Sequence, residues 1–231
     1  MIPLRDDAPR FTRPWITLFL IALNVMVFLF QDSLNLRDHL AFARQFGFVP
    51  ARIGAWFNGN MPVDVAFLPA VTSMFLHAGW LHLIFNMWFL WIFGDNVEDR
   101  LGHFGFLVFY LATGLFGNLA HYIFNADSTV PTVGASGAIA GVMGAYFLLF
   151  PSARVLTLIP LLLIFPVLWI PAWVYLGYWF VGQFLSGAAS SMTYARDGGV
   201  AFWAHVGGFL SGLAMIKVLP KRRIEETYEL G

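Results

Sequence analysis

The sequence has no cysteine among its 231 residues. That excludes disulfides, thiolate nucleophiles and Cys-ligated metals together. Charge is scarce too: 11% of residues are Asp, Glu, Lys or Arg, against roughly 25% in a soluble domain. So few charges cannot cover a water-facing surface in the usual way. The 13 basic and 13 acidic residues cancel to a formal net charge of zero, so nothing points to nucleic acid as a partner. The first apolar block is long and lacks a small-residue cleavage site, so it is expected to remain in the mature protein rather than serve as a cleaved signal. The sequence calls for no cofactor and no metal.

Apolar residues fill the space that charge leaves. They make up 59% of the chain, with a mean hydropathy of +0.71, and they fall in long uncharged blocks. A membrane helix needs about 20 such residues to cross roughly 30 Å of hydrocarbon. Pro14–Gln31 reads as a first span, with further spans near Gly79–Phe93, Phe104–Phe124, Ser136–Phe150 and Val200–Ile216. Between Val155 and Ala195 the sequence is again uncharged, but Pro160, Pro166 and Pro171 interrupt its first half. Proline removes a backbone donor and breaks helices. Val155–Ile170 is therefore expected to be an extended or broken connection, and Pro171–Leu185 the fifth of six spans. Asp32–Pro69 interleaves Arg37, Arg44 and Arg52 with Phe42, Phe46, Trp56 and Phe57, as a partly helical loop lying in the membrane interface does.

Basic residues orient the chain. Arg5, Arg10 and Arg13 precede the first span, and Lys217, Lys221, Arg222 and Arg223 follow the last. The positive-inside rule then places both termini in the cytoplasm and demands an even number of crossings. The expected organisation is a cytoplasmic lead at 1–13, an all-α six-helix membrane domain at 14–219 and a basic cytoplasmic tail at 220–231. Spans two, four and six would start in the same outer half of the bilayer.

Polar side chains inside such spans are expensive, and function is their default explanation. The candidates are His77, His82 and Asn86 around span two, His103 and His121 around span three, Ser136 in span four and His205 in span six. His82 and Asn86 are four apart and share a helix face. Taken alone, Ser136 in Gly134-Ala135-Ser136-Gly137 is simply an N-cap or a small packing residue. It is not the hydrolase elbow either, since Ala138 stands where that motif needs glycine. Yet a serine at a helix N-terminus has free N–H groups beside it, which suit an oxyanion developing in acyl transfer. His205 lies among Ala204, Gly208 and Gly212, while Gly137, Gly141 and Gly144 line a face of span four. If these small-residue stripes pack together, His205 falls level with Ser136, and a Ser–His pair is the minimum for an activated nucleophile. His82 and Asn86 could be oxyanion donors or simply interhelical glue.

These residues resemble the rhomboid proteases in order and spacing. The similarity runs through His77-Ala78-Gly79-Trp80-Leu81-His82-Leu83-Ile84-Phe85-Asn86, Gly134-Ala135-Ser136-Gly137 and Ala204-His205-Val206-Gly207-Gly208. Glu98-Asp99-Arg100-Leu101-Gly102 is similar to the family's cytoplasmic loop motif. The resemblance covers about Ile16 to Leu219 and implies a six-helix rhomboid-like bundle with a long interfacial first loop. It also implies a catalytic dyad of Ser136 and His205, and an oxyanion hole made by His82, Asn86 and the Ser136 N–H. The implied activity is intramembrane serine endopeptidase cleavage of transmembrane protein substrates, with membrane lipids as surroundings. The expected location is a bacterial inner membrane. One departure is Leu68-Pro69, where many members carry Trp-Arg. The catalytic positions are intact. The rival readings are an inactive relative that binds membrane proteins, or a transporter. A transporter usually keeps carboxylates at mid-membrane, and no Glu neighbours His77 or His82 as a zinc protease motif requires.

Overall fold

A computed structural model of the chain describes residues 1–161, 164–193 and 201–222. It is predominantly helical. Helix α1 (Trp15–Ser33) buries Thr17, Leu20, Asn24, Phe28 and Gln31, the three-and-four spacing of a single helical stripe. Trp15, Phe19, Met26, Leu29 and Phe30 on its other faces are each half or more exposed. Polar groups inside and large apolar ones outside is the arrangement a lipid environment favours.

The interfacial stretch folds into short helices: α2 (Leu36–Phe46), α3 (Ala51–Phe57), α4 (Val63–Phe67), α5 (Pro69–Thr72) and a 3-10 turn at Ser73–Phe75. The Asn35 side chain caps α2 by accepting from the Asp38 N–H at 3.1 Å, which satisfies one donor of its first turn. The stretch from Val63 to Phe75 then bends by 77° into α6 (Trp80–Leu101).

Helices α7 (His103–Phe124), α8 (Ser136–Leu149), α9 (Ala172–Thr193) and α10 (Phe202–Val218) complete the bundle. Helix α8 is its axis. Residues Gly137 to Tyr146 are all buried, and α8 packs against α6, α7, α9 and α10. A helix apolar on every side needs such a central position. Its closest neighbour is α10, through the glycine stripes. A Cβ at Gly208 would stand 1.9 Å from the Gly137 carbonyl oxygen, and one at Gly212 would stand 2.0 Å from that of Gly141. Any side chain there would drive the two backbones apart.

Two expectations change in detail. The expected loop motif Glu98–Gly102 is mostly helix, because α6 runs on to Leu101 before Gly102 breaks it with φ +73°. Helix continues there because Glu98 and Asp99 are buried and spend their carboxylates on backbone N–H groups at and just before the start of α1. The broken connection after α8 is a sheet, with β1 (Ile2–Asp6), β2 (Arg154–Leu158) and β3 (Val167–Pro171) in the antiparallel order β1-β2-β3. The polar lead thus contributes a strand and belongs to the folded body. By length and hydropathy alone, α1 and α7 qualify as membrane spans, and α4 through α6 adds a third if the bent pair counts as one. Helices α8 and α10 are apolar but shorter. Arg196, the first residue assigned to the last span and the tail from Arg223 onward lie outside the described residues.

Candidate active site

Ser136 is the first residue of α8, with Ala135 at the N-cap. The segment leading to it is tied down on both sides. Thr132 and Phe48 exchange backbone hydrogen bonds at 2.8 and 2.9 Å, and the Gly134 N–H donates to the Ser73 carbonyl at 2.9 Å. The interfacial loop therefore borders the serine directly. Gly134 has φ +129°, a conformation glycine adopts readily and other residues avoid. A Cβ there would also stand 2.7 Å from His82 Cε1. Glycine lets the His82 ring lie against the chain two residues before Ser136.

His205 is in the first turn of α10 and only 9% exposed. Its Nε2 lies 2.7 Å from Ser136 Oγ. The contact follows from the glycine lock, since Ala204 sits beside Gly137 and Gly208 meets the Gly137 carbonyl, which sets α10 against α8 in register. On the other side of the ring, Nδ1 is 2.6 Å from Gln183 Oε1 of α9. Trp179, one turn earlier on α9, brings its ring to 5.8 Å from the imidazole.

The sequence candidates divide into those the fold gathers and those it does not. Ser136, His205, His82 and Asn86 converge at the start of α8. His82 Nδ1 accepts a long hydrogen bond from the Ala78 N–H at 3.4 Å, which leaves the proton of the neutral ring on Nε2, the atom 2.8 Å from the Cβ position at Gly134. Asn86 is buried, and its Nδ2 has no hydrogen-bond partner. A buried donor without an acceptor costs on the order of 1–3 kcal/mol, and this one is free to bond an incoming acceptor. His77 is fully buried and edge-on to His82 at 5.1 Å, and Gln31 clamps its backbone through bonds of 3.0 and 3.2 Å. His121 is engaged with Thr132 Oγ1 at 3.0 Å. His103 belongs to the opposite end of the bundle, 2.6 Å from Glu98. Among the described residues no three His, Asp or Glu side chains are arranged to hold a metal ion.

Sequence reasoning missed Gln183. Its signal was available, because it is the one amide in the apolar stretch Pro171–Leu185. What the sequence lacked was a reason to aim that face of α9 at His205.

The chain is similar to known proteins over most of its length. The sequence model of the family described as Rhomboid domain matches residues 66–222, more than half of the chain. Rhomboid protease GluP of Bacillus subtilis is 34% identical over 137 residues, 58% of this chain and 24% of that protein. Rhomboid protein 1, mitochondrial, of Saccharomyces cerevisiae is 33% identical over 151 residues, 62% of this chain and 39% of that protein. Putative rhomboid protease YdcA of Bacillus subtilis is 41% identical over 76 residues, 33% of this chain and 38% of that protein. The chain thus spans well under half the length of these relatives. A match through α6, α8 and α10, the three helices that carry the converging polar residues, makes this chain a member of the rhomboid family, multi-pass membrane proteins with protease relatives.

Proposed function

We propose that this chain is an intramembrane serine endopeptidase that cleaves transmembrane segments of other membrane proteins. The observation that carries the reading is the 2.7 Å approach of Ser136 Oγ to His205 Nε2, a nucleophile and a base within hydrogen-bond reach. His205 Nε2 takes the hydroxyl proton as Ser136 Oγ attacks the peptide carbonyl. The tetrahedral oxyanion then sits among donors: the Asn86 amide, His82 Nε2–H and the free N–H groups of the first turn of α8. His205 returns the proton to the leaving amine, and the acyl-enzyme forms. Water entering from the Ser136 end repeats the sequence in reverse roles and frees the acid. The balance closes with one peptide bond and one water consumed and two new termini formed.

In the same reading the bundle crosses the membrane six times as a single domain at 14–219. The lead at 1–13 and the basic tail at 220–231 are cytoplasmic, the membrane is a bacterial plasma membrane, and Ser136 lies in its outer half. The apolar exterior of α1 supports the membrane setting, and the shared direction of α6, α8 and α10 supports placing their first turns in one half of the bilayer. The test is cleavage of a transmembrane reporter together with fluorophosphonate labelling of the purified protein. Wild type is expected to do both and Ser136→Ala neither, at unchanged Tm. Cleavage retained by Ser136→Ala ends the proposal.

A further inference from the structure

A Ser–His pair works only if the histidine presents the correct nitrogen. Neutral imidazole carries one proton, on Nδ1 or on Nε2. With the proton on Nε2, an N–H faces the serine O–H and no base exists. In a serine triad a carboxylate at Nδ1 makes this choice. Here α8, α9 and α10 contain no Asp or Glu, so the choice falls to another acceptor.

We propose that Gln183 is the positioning residue of the dyad. Its amide oxygen accepts from Nδ1–H of His205, fixes the ring and its tautomer, and leaves Nε2 free to take the Ser136 proton. This rests on the dyad reading above. The geometry is that of a short relay: Gln183 Oε1 to His205 Nδ1 at 2.6 Å, then His205 Nε2 to Ser136 Oγ at 2.7 Å. The amide has two ends, and only one is compatible with chemistry. Turned about, its NH2 would donate to Nδ1 and force the ring proton onto Nε2. Oxygen toward the ring is therefore the productive orientation. An amide also suits its surroundings better than a carboxylate would. Gln183 lies in an apolar helix between Gly182 and Phe184, where a charge is costly and a neutral acceptor costs far less. Trp179, at i−4 on the same face, borders the other part of the ring at 5.8 Å, so one face of α9 fixes both the tilt and the protonation of the base.

The test separates positioning from packing. Gln183→Leu keeps the bulk and removes the acceptor, and Gln183→Glu keeps an acceptor oxygen at the same reach. Each is measured in liposomes for kcat and KM on a transmembrane reporter, for the second-order rate of fluorophosphonate labelling and for Tm. In Gln183→Leu, kcat and the labelling rate are expected to fall together by about 10²-fold, less than the roughly 10⁴-fold cost of spoiling the tautomer in a serine triad, with KM unchanged. Gln183→Glu should recover both to within about tenfold of wild type. Labelling reports the activated serine without a protein substrate, so a packing or substrate-entry role would leave it untouched. Gln183→Leu labelling at the wild-type rate overturns the proposal, and so does Gln183→Glu as slow as Gln183→Leu. If Gln183→Leu does not fold, Gln183→Met decides by the same two rates. Ser136→Ala run alongside keeps the two readings apart. A cleaving Ser136→Ala removes the dyad itself, whereas an inactive Ser136→Ala beside a fully active Gln183→Leu removes only the role of Gln183.

Discussion

The two ends of the helix bundle handle buried polarity in opposite ways. At one end, Glu98 accepts from the N–H groups of Ile16 and Thr17 at 2.9 and 2.8 Å and from the Thr17 hydroxyl at 2.7 Å, with His103 at 2.6 Å. Asp99 accepts from the N–H groups of Phe11 and Thr12 and from the Thr12 hydroxyl. Two carboxylates thus satisfy the donors at and just before the start of α1, where the helix dipole also favours negative charge. At the other end Asn86 Nδ2 and both ring nitrogens of His77 are buried without partners, while Ser136, His205 and Gln183 form a chain of short contacts. The difference teaches how to sort polar residues in such a protein. A carboxylate whose oxygens are taken up by backbone and hydroxyl donors, as those of Glu98 and Asp99 are, builds the fold. The Asn86 donor, left open beside a serine at a helix N-terminus, is free for an acceptor that the fold itself does not supply.

The sharpest way to break this contrast is at Ser136. Ser136→Ala is expected to abolish reporter cleavage and fluorophosphonate labelling, with His205→Ala comparably inactive because members of one unit are not additive. Both should melt close to wild type, since neither hydroxyl nor ring closes a fold-building network.

Next in size is Asn86. Asn86→Ala should lower kcat by about 10²–10³ with Tm nearly kept, as removal of a single oxyanion donor does. Because His82 and backbone groups can share the load, the His82→Ala, Asn86→Ala pair is measured as well. A folded double variant that cleaves at close to the wild-type rate would return both residues to the role of interhelical glue.

Glu98 sharpens the comparison from the opposite end. Glu98→Ala strands the Ile16 and Thr17 donors, and hydrogen bonds to a charged group are each worth about 1.5–3 kcal/mol. The expected result is a Tm lowered by many degrees with kcat per folded molecule unchanged. Loss of cleavage at wild-type Tm would mean that the two ends are not separate in function.

The smallest expected effect is at Asp6 in β1. Burial pushes its carboxyl above the ordinary carboxylate range, although the hydrogen bond donated by the Tyr146 hydroxyl pulls the other way. A raised folded-state value disfavours the ionised form in the fold. Asp6 therefore contributes stability that is fully present below its unfolded value and lost as pH rises through the raised one. Asp6→Asn keeps an oxygen for Tyr146 and should leave Tm at pH 7 equal to wild type or slightly above it. Thermal melts from acidic to neutral pH check this, and a Tm clearly below wild type at pH 7 would show that the charge itself is needed.

Much of this was legible in local pattern, and the exceptions share a cause. Uncharged blocks located α1, α7, α8 and α10 to within about two residues of the ends drawn from sequence. Helical spacing put His82 and Asn86 on one face. The two glycine stripes anticipated the α8–α10 contact that carries His205 to Ser136. Strand β1 was hidden because its partner Arg154–Leu158 lies some 150 residues away, and a five-residue strand has no period long enough to announce itself. Glu98 and Asp99 looked like loop residues, since acidic side chains rarely stay buried and their acceptor role depends on the start of α1 arriving beside them.

By itself, then, the sequence determined that this chain lives in a membrane, how its apolar blocks divide, and which few polar residues could do chemistry, because hydropathy, helical period and small-residue spacing are all local properties of the chain. Only the tertiary structure decided which of those residues meet, which nitrogen of His205 faces the serine, and that Gln183 stands behind it. Those are facts about the rotation of α9 and α10 around α8, and rotation is set by packing between helices rather than by the residues of any one of them.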